Sequence, residues 1–176
     1  MKNHTNMSPA AVYKFCPKCA GVLKKRTDNL LICQKCGFKF YQNAVPCNAV
    51  VIENDKGEIL LVKRKFDPQK NKWDWPGGFL NGGENFEHSV IREIKEELGV
   101  EIMINRLVGV YTDSYEYQHI DFPILCVAVF AKITRGEIKV SDDVSEYQYF
   151  PPTEILNMDL AFKTIKVGIS DYLQLK

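Results

Sequence analysis

Apolar positions recur along this chain with two different periods. Across residues 86–98 they fall at Phe86, Val90, Ile94 and Leu98, every fourth position, with Ile91 beside them. That spacing predicts one amphipathic helix. Asn85 can cap its start, and Gly99 can close its end in a left-handed turn. Elsewhere the pattern is β-rich, with runs at 22–25, 30–33, 48–53, 58–63, 102–111, 124–133, 137–140 and 147–150. Asn54-Asp55-Lys56-Gly57 between two of them is a hairpin signal, so 48–53 and 58–63 are expected to pair. A last helix is expected within 160–173. Strands with one or two helices between them give an α/β chain of the mixed, α+β kind.

Composition narrows this further. The 176 residues are 45% hydrophobic and 26% charged, which suits one domain plus a small module and excludes a disordered or coiled-coil chain. The longest apolar run, 124–131, is far short of the roughly 20 residues of a membrane helix. No membrane partner and no secretory leader are expected, and the expected location is cytoplasmic. The net charge of +1 hides a division. Residues 1–43 hold eight Lys/Arg and one Asp/Glu, a formal +7, and residues 44–176 carry a formal −6. The expected organisation is a polar, flexible tail over 1–10, a compact module over 11–43 and a larger domain over 44–176.

The module contains two Cys-x-x-Cys pairs, Cys16/Cys19 and Cys33/Cys36. Four thiolates can close a tetrahedral shell around Zn²⁺, and a shell without an open position is structural. A zinc ribbon is therefore expected, with Gly21 and Gly37 where each knuckle bends. Its basic residues, Lys14, Lys18, Lys24, Lys25, Arg26, Lys35 and Lys39, are expected to form a solvated face. Nucleic acid is not the favoured partner, because no stacking platform is evident beyond Phe38, Phe40 and Tyr41. Cys47 and Cys126, in apolar runs, are expected to be buried, and His88 and His119 to be bystanders.

The predicted helix carries Glu93, Glu96 and Glu97 on one face. Arg92 and Lys95 are adjacent and are expected to point elsewhere, which leaves a repulsion that a divalent cation such as Mg²⁺ or Mn²⁺ would turn into ligation. Glu84 precedes the helix and can fold back to the same cluster.

Gly78, five residues, Glu84, seven residues, then Arg92-Glu93-Ile94-Lys95-Glu96-Glu97-Leu98-Gly99-Val100 resembles the Nudix box, with every fixed position filled. The resemblance to Nudix hydrolases covers about residues 44–176. It implies an α/β/α sandwich with a mixed β-sheet and hydrolysis of a nucleoside diphosphate linked to another moiety, using Mg²⁺ or Mn²⁺. It further implies Glu96 and Glu97 as the main catalytic metal ligands, Glu93 as a metal ligand or as the group that orients and deprotonates water, Glu84 as ligand to a second ion directly or through water, the Gly78 carbonyl as a further ligand, and Arg92 holding the glutamates by salt bridge. A late-loop acid completes such sites; of Asp142, Asp143 and Glu146, Asp143 is the choice here. A ribbon ahead of the box resembles zinc-ribbon pyrophosphatases acting on NADH, FAD or ADP-ribose. The segment after the box departs from the NADH enzymes and favours ADP-ribose, FAD or a related ADP-X, split to AMP and X-phosphate. Trp73, Trp75, Tyr115 and Tyr117 are the candidates for holding the substrate. The competing expectations are an RNA-cap-removing or nucleic-acid-binding protein that uses the ribbon, and a metabolite sensor without turnover. A homodimer is left open.

Overall fold

The structure, a computed structural model, describes residues 7–141 and 143–176. They form two units, one containing residues up to Val45 with Ser114–Ile124, the other Pro46–Asp113 with Leu125–Lys176.

In the first unit a short helix, α1 (Pro9–Val12), precedes three antiparallel strands, β1 (Leu23–Thr27), β2 (Leu30–Cys33) and β3 (Lys39–Tyr41). β3 had no counterpart among the predicted strands, since three residues are too few to show a period. Residues 1–6 of the expected tail lie outside the described residues. Met7 bridges Ile120 and Ala10 is buried. A small core of Ala10, Cys16, Leu23, Leu31 and Cys33 is flanked by Tyr13, Phe38 and Phe40.

The second unit is built on two three-stranded sheets. One has the order β4 (Val45–Ile52), β8 (Ile120–Arg135), β7 (Glu101–Tyr117). The other has the order β6 (Trp73–Asp74), β5 (Ile59–Arg64), β9 (Val144–Phe150). The expected pairing of 48–53 with 58–63 is corrected here. The turn forms, with the Asn54 side-chain oxygen accepting from the backbone N–H groups of Lys56 and Glu58 (both 3.0 Å). Yet β4 and β5 part into different sheets after the single bridge Glu53–Ile59. Both strands are largely buried, and Val50 and Ile52 of β4 meet Leu60 and Val62 of β5 in one core.

The predicted helix is α2 (Phe86–Leu98), capped by the Asn85 side chain and closed by Gly99 at φ 71°. Val90, Ile94 and Leu98 are fully buried against Val50, Ile52, Leu60, Val62 and Val129. Burying each such side chain contributes roughly 1.5–3 kcal/mol, so this stripe fixes the helix's rotation and thereby where its glutamates point. β7 and β8 run past their predicted limits because Gln118 and His119, at φ 50° and 64°, make a tight turn between them that no glycine or asparagine announced. The expected strand at 137–140 is irregular chain instead. Its Lys139 and Ser141 N–H groups donate to Leu98 and Glu97 carbonyls at the end of α2, so helix capping displaces sheet pairing. Two helices follow, α3 (Pro152–Ile155) and α4 (Lys163–Gln174), and no described helix is long and apolar enough to cross a membrane.

Candidate active site

The four paired cysteines bring their sulfurs within 4.8 Å of one another. Backbone turns fix them: Cys16 N–H donates to Gly21 O, Ala20 N–H to Cys16 O, and Gly37 N–H to Cys33 O. Gly21 is required, because a Cβ there would stand 2.7 Å from Lys35 Cβ and 3.1 Å from Cys33 Sγ. Four converged thiols can hold a metal ion of borderline softness.

The acidic site is assembled around the loop before α2. Gly77, at φ 137°, lies so close to Asn48 that a Cβ would fall 2.5 Å from the Asn48 carbonyl oxygen. A Cβ on Gly78 would strike the Glu93 carboxylate at 2.6 Å, so only glycine lets that acid reach the loop. Glu97 accepts from Gly77 N–H (3.0 Å), while the Gly78 carbonyl accepts from Asn48 N–H (2.8 Å) and keeps its second lone pair for another partner. Neither Asn48 nor the fully buried Ser89, which accepts from the Asn48 amide at 2.9 Å, was singled out in the sequence. They lie 41 positions apart, and no local pattern links them.

Arg92 does not point elsewhere. Its guanidinium grips Glu84 in a bidentate pair (2.8 and 2.9 Å) and donates to Glu93 (2.7 Å), to Glu96 (2.9 Å) and to the Phe79 carbonyl (3.1 Å). The expectation failed because adjacency in a helix says nothing about where a long flexible side chain ends. Hydrogen bonding to Arg92 and to Asn81 N–H holds the Glu84 carboxyl down at about 2. Burial raises Glu93 despite Arg92. Burial also raises Glu97 well above the usual carboxylate range; the Gly77 N–H opposes this, and Asp74, Glu93 and Asp143 add to it. Asp143 is thus close enough for its charge to be felt at Glu97, while Glu146 is engaged by Lys63 (3.0 Å) and Asp142 lies outside the described residues. The Arg92 guanidinium serves three carboxylates, and Glu97, more deeply buried than Glu93, is not among them. That excess of negative charge suits a divalent cation.

The aromatic candidates separate. Trp75 is 7% exposed, lies against Gly168 of α4 where a Cβ would meet its ring at 2.6 Å, and is tilted on Tyr111. Trp73 is half-buried, edge-on to Phe150 with Lys63 Nζ 5.2 Å from its ring. Tyr115 and Tyr117 lie on the part of β7 that groups with the first unit. Asp74 escaped notice in the sequence. It is buried against Arg64 (2.9 Å), and burial pushes it up to about 6 although Arg64 opposes the shift. Cys47 and Cys126 are buried, as expected.

Residues 44–169 match the family model described as NUDIX domain. The chain belongs to the NUDIX domain family. As a Nudix hydrolase it has relatives of two kinds. An ADP-ribose pyrophosphatase of Methanocaldococcus jannaschii is 37% identical over 72% of this chain and 71% of its own length. A NAD-capped RNA hydrolase, NudC, of Haemophilus influenzae is 28% identical over 88% of this chain, which spans only 61% of that relative. Among solved structures, a Nudix hydrolase from Nitrosomonas europaea superposes with a TM-score of 0.74 at 27% identity, over 92% of this chain and 91% of that one. Nudix hydrolases generally use divalent metals, and this chain's acidic cluster fits that requirement.

Proposed function

We propose that this Nudix hydrolase splits ADP-ribose, or a closely related ADP-X such as FAD or NADH, into AMP and X-phosphate with the help of Mg²⁺ or Mn²⁺. The observation that carries the reading is the buried Glu97 carboxyl, which accepts from the Gly77 N–H and feels the like charges of Asp74, Glu93 and Asp143. It is supported by the 37% identity to a relative named for ADP-ribose. Glu93, Glu96, Glu97, Glu84 and the Gly78 carbonyl would hold the ions. Bound there, a divalent ion neutralises the pyrophosphate and lowers the pKa of its water.

The chain's own residues do the rest. Glu97 is held rigid by Gly77 N–H and by the seated helix stripe. Glu93, its pKa raised by burial, is suited to take the proton of the attacking water. Arg92 keeps Glu84, Glu93 and Glu96 in register so that they need not reorganise during reaction. Asp143 adds the late-loop charge. Trp73, half-buried, is the better placed of the two tryptophans to present a face to the adenine, whereas Trp75 serves packing. Zn²⁺ at Cys16, Cys19, Cys33 and Cys36 would be structural, and a shell of reduced thiolates suits a reducing, cytoplasmic setting.

Assay of ADP-ribose, FAD and NADH with Mg²⁺ and with Mn²⁺ tests the proposal. In ¹⁸O water the label should appear in a phosphate product. Label on ribose carbon, or no turnover of any of the three, would refute it. A second reading, removal of a dinucleotide cap from RNA, is favoured by the basic residues of 11–43, of which Lys25 alone makes an ion pair among the described residues, together with the NudC relatives.

A further inference from the structure

The three-stranded sheet of the first unit has an inner and an outer face, and strand register assigns every residue to one of them. Leu31, fully buried, stands opposite Phe40 and belongs to the inner face. Ile32 therefore points outward, directly between Lys24 and Lys39. One step along β2, Leu30 stands beside Tyr41, on the same outer face. One step the other way, Val22, two residues before Lys24, is bridged by Phe15. The outer face thus reads as three rows: Phe15–Val22, Lys24–Ile32–Lys39 and Leu30–Tyr41. Phe15 is 69%, Val22 54% and Tyr41 53% exposed. Adjacent rows are two residues apart, roughly 6.5–7 Å by strand rise. The irregularity after Lys25 places Arg26 at the edge of this face.

The charges there are not neutralised. Of the seven basic residues of the module, only Lys25 makes an ion pair among the described residues, with Asp28, the module's single carboxylate. Lys24, Lys39 and Arg26, none of them in an ion pair among the described residues, share this face with exposed aromatic rings and favour a partner that brings both regular negative charge and flat rings. That combination describes a single-stranded nucleic acid better than an acidic protein, which has no repeating ring to stack. A duplex hides its base faces and would leave Phe15 and Tyr41 unused.

We propose that the outer face of this sheet binds single-stranded RNA, with Lys24, Lys39 and Arg26 on the phosphates and with Phe15 and Tyr41 each stacking a base. The choice of RNA over DNA rests on the proposed activity, since a ribonucleotide pyrophosphate end is something RNA can carry. Strand binding itself needs no turnover, so the two readings can fail separately.

The test uses the full-length, metal-replete chain and fluorescence anisotropy with a labelled 12-nucleotide RNA, the matching single-stranded DNA, the RNA duplex and inorganic polyphosphate. Micromolar RNA binding with a log–log salt slope near −2, the value for about three neutralised phosphates on a single strand, is expected. Tyr41→Ala and Phe15→Ala should each weaken RNA about fivefold or more without changing that slope. Lys24→Glu with Lys39→Glu should flatten the slope, and Lys24→Arg with Lys39→Arg should restore it, which separates charge from misfolding. ADP-ribose turnover should be unchanged in all of these. Absence of RNA binding at 100 mM salt would overturn the proposal. So would equal binding of polyphosphate, binding indifferent to both ring substitutions, or tighter binding of DNA or duplex than of single-stranded RNA.

Discussion

The thiol cluster and the glutamate cluster are two answers to the same problem, that of concentrating like ligands before any ion arrives. The four sulfurs converge within 4.8 Å because backbone turns fix them, and a neutral thiol costs little to bring near another. Among the described residues no other set of three or more cysteine, histidine or carboxylate ligands draws that close. The carboxylates cannot, because their charges repel in partly desolvated surroundings, and Arg92 occupies Glu84, Glu93 and Glu96 instead. One site is preassembled by the main chain. The other is balanced by a side chain and, on the proposed function, would be completed by a divalent cation. A structural ion needs the first arrangement, and a catalytic ion that must share its shell with substrate suits the second.

The largest effect should come from breaking the preassembled site. Binding of structural zinc contributes on the order of 10 kcal/mol in small modules. Chelation, or Cys33→Ser, should therefore unfold residues 11–43, read as new proteolytic cuts there. If the cuts do not appear, the main chain holds the thiols without help and the contrast collapses.

Next is the balanced site. Glu97→Gln keeps the shape and removes the charge. It should lower kcat by at least about 10²–10³-fold, the scale of losing one preorganised electrostatic group. Stability should hold or rise, because a buried carboxylate with a raised pKa destabilises the fold once ionised. Unchanged kcat at saturating Mg²⁺ would reduce the cluster to an acidic surface.

Trp75→Ala should cost about 3–5 kcal/mol in denaturant unfolding, as for a buried aromatic. Trp73→Ala should cost less stability and instead raise KM severalfold. If both act only on stability, neither tryptophan touches the substrate.

The smallest effect concerns Asp74. Its folded pKa, about 6, lies above the ordinary 3.8, so the folded state binds the extra proton between those values. Stability from this group is present below pH 4 and declines as pH rises through 6. Glu84 has the opposite sign, its contribution being present above about pH 4.5 and lost as pH falls towards 2. Asp74→Asn should remove the decline, a relative gain of about 2–3 kcal/mol between pH 4 and pH 7. A difference between variant and wild type that does not change with pH would mean that Asp74 titrates normally.

By itself the sequence determined what depends on neighbours along the chain. The doubled Cys-x-x-Cys spacing, the every-fourth apolar stripe of α2, its Asn85 and Gly99 caps and the helical placement of Glu93, Glu96 and Glu97 are all local, set by turn geometry and by 3.6 residues per turn. Tertiary structure decided whatever depends on partners far along the chain. It sent β4 and β5 into different sheets, β4 beside β8 and β5 between β6 and β9. It turned 137–140 into a cap for the end of α2, buried Asp74 against Arg64 and aimed Arg92 at three glutamates. It also split the ribbon's aromatics, with Phe38 and Phe40 inward and Phe15 and Tyr41 outward, because sheet register alternates faces and only the observed pairing fixes which face is the core. Periodicity states that a residue has two sides to choose from, and long-range packing, through desolvation and charge pairing, makes the choice.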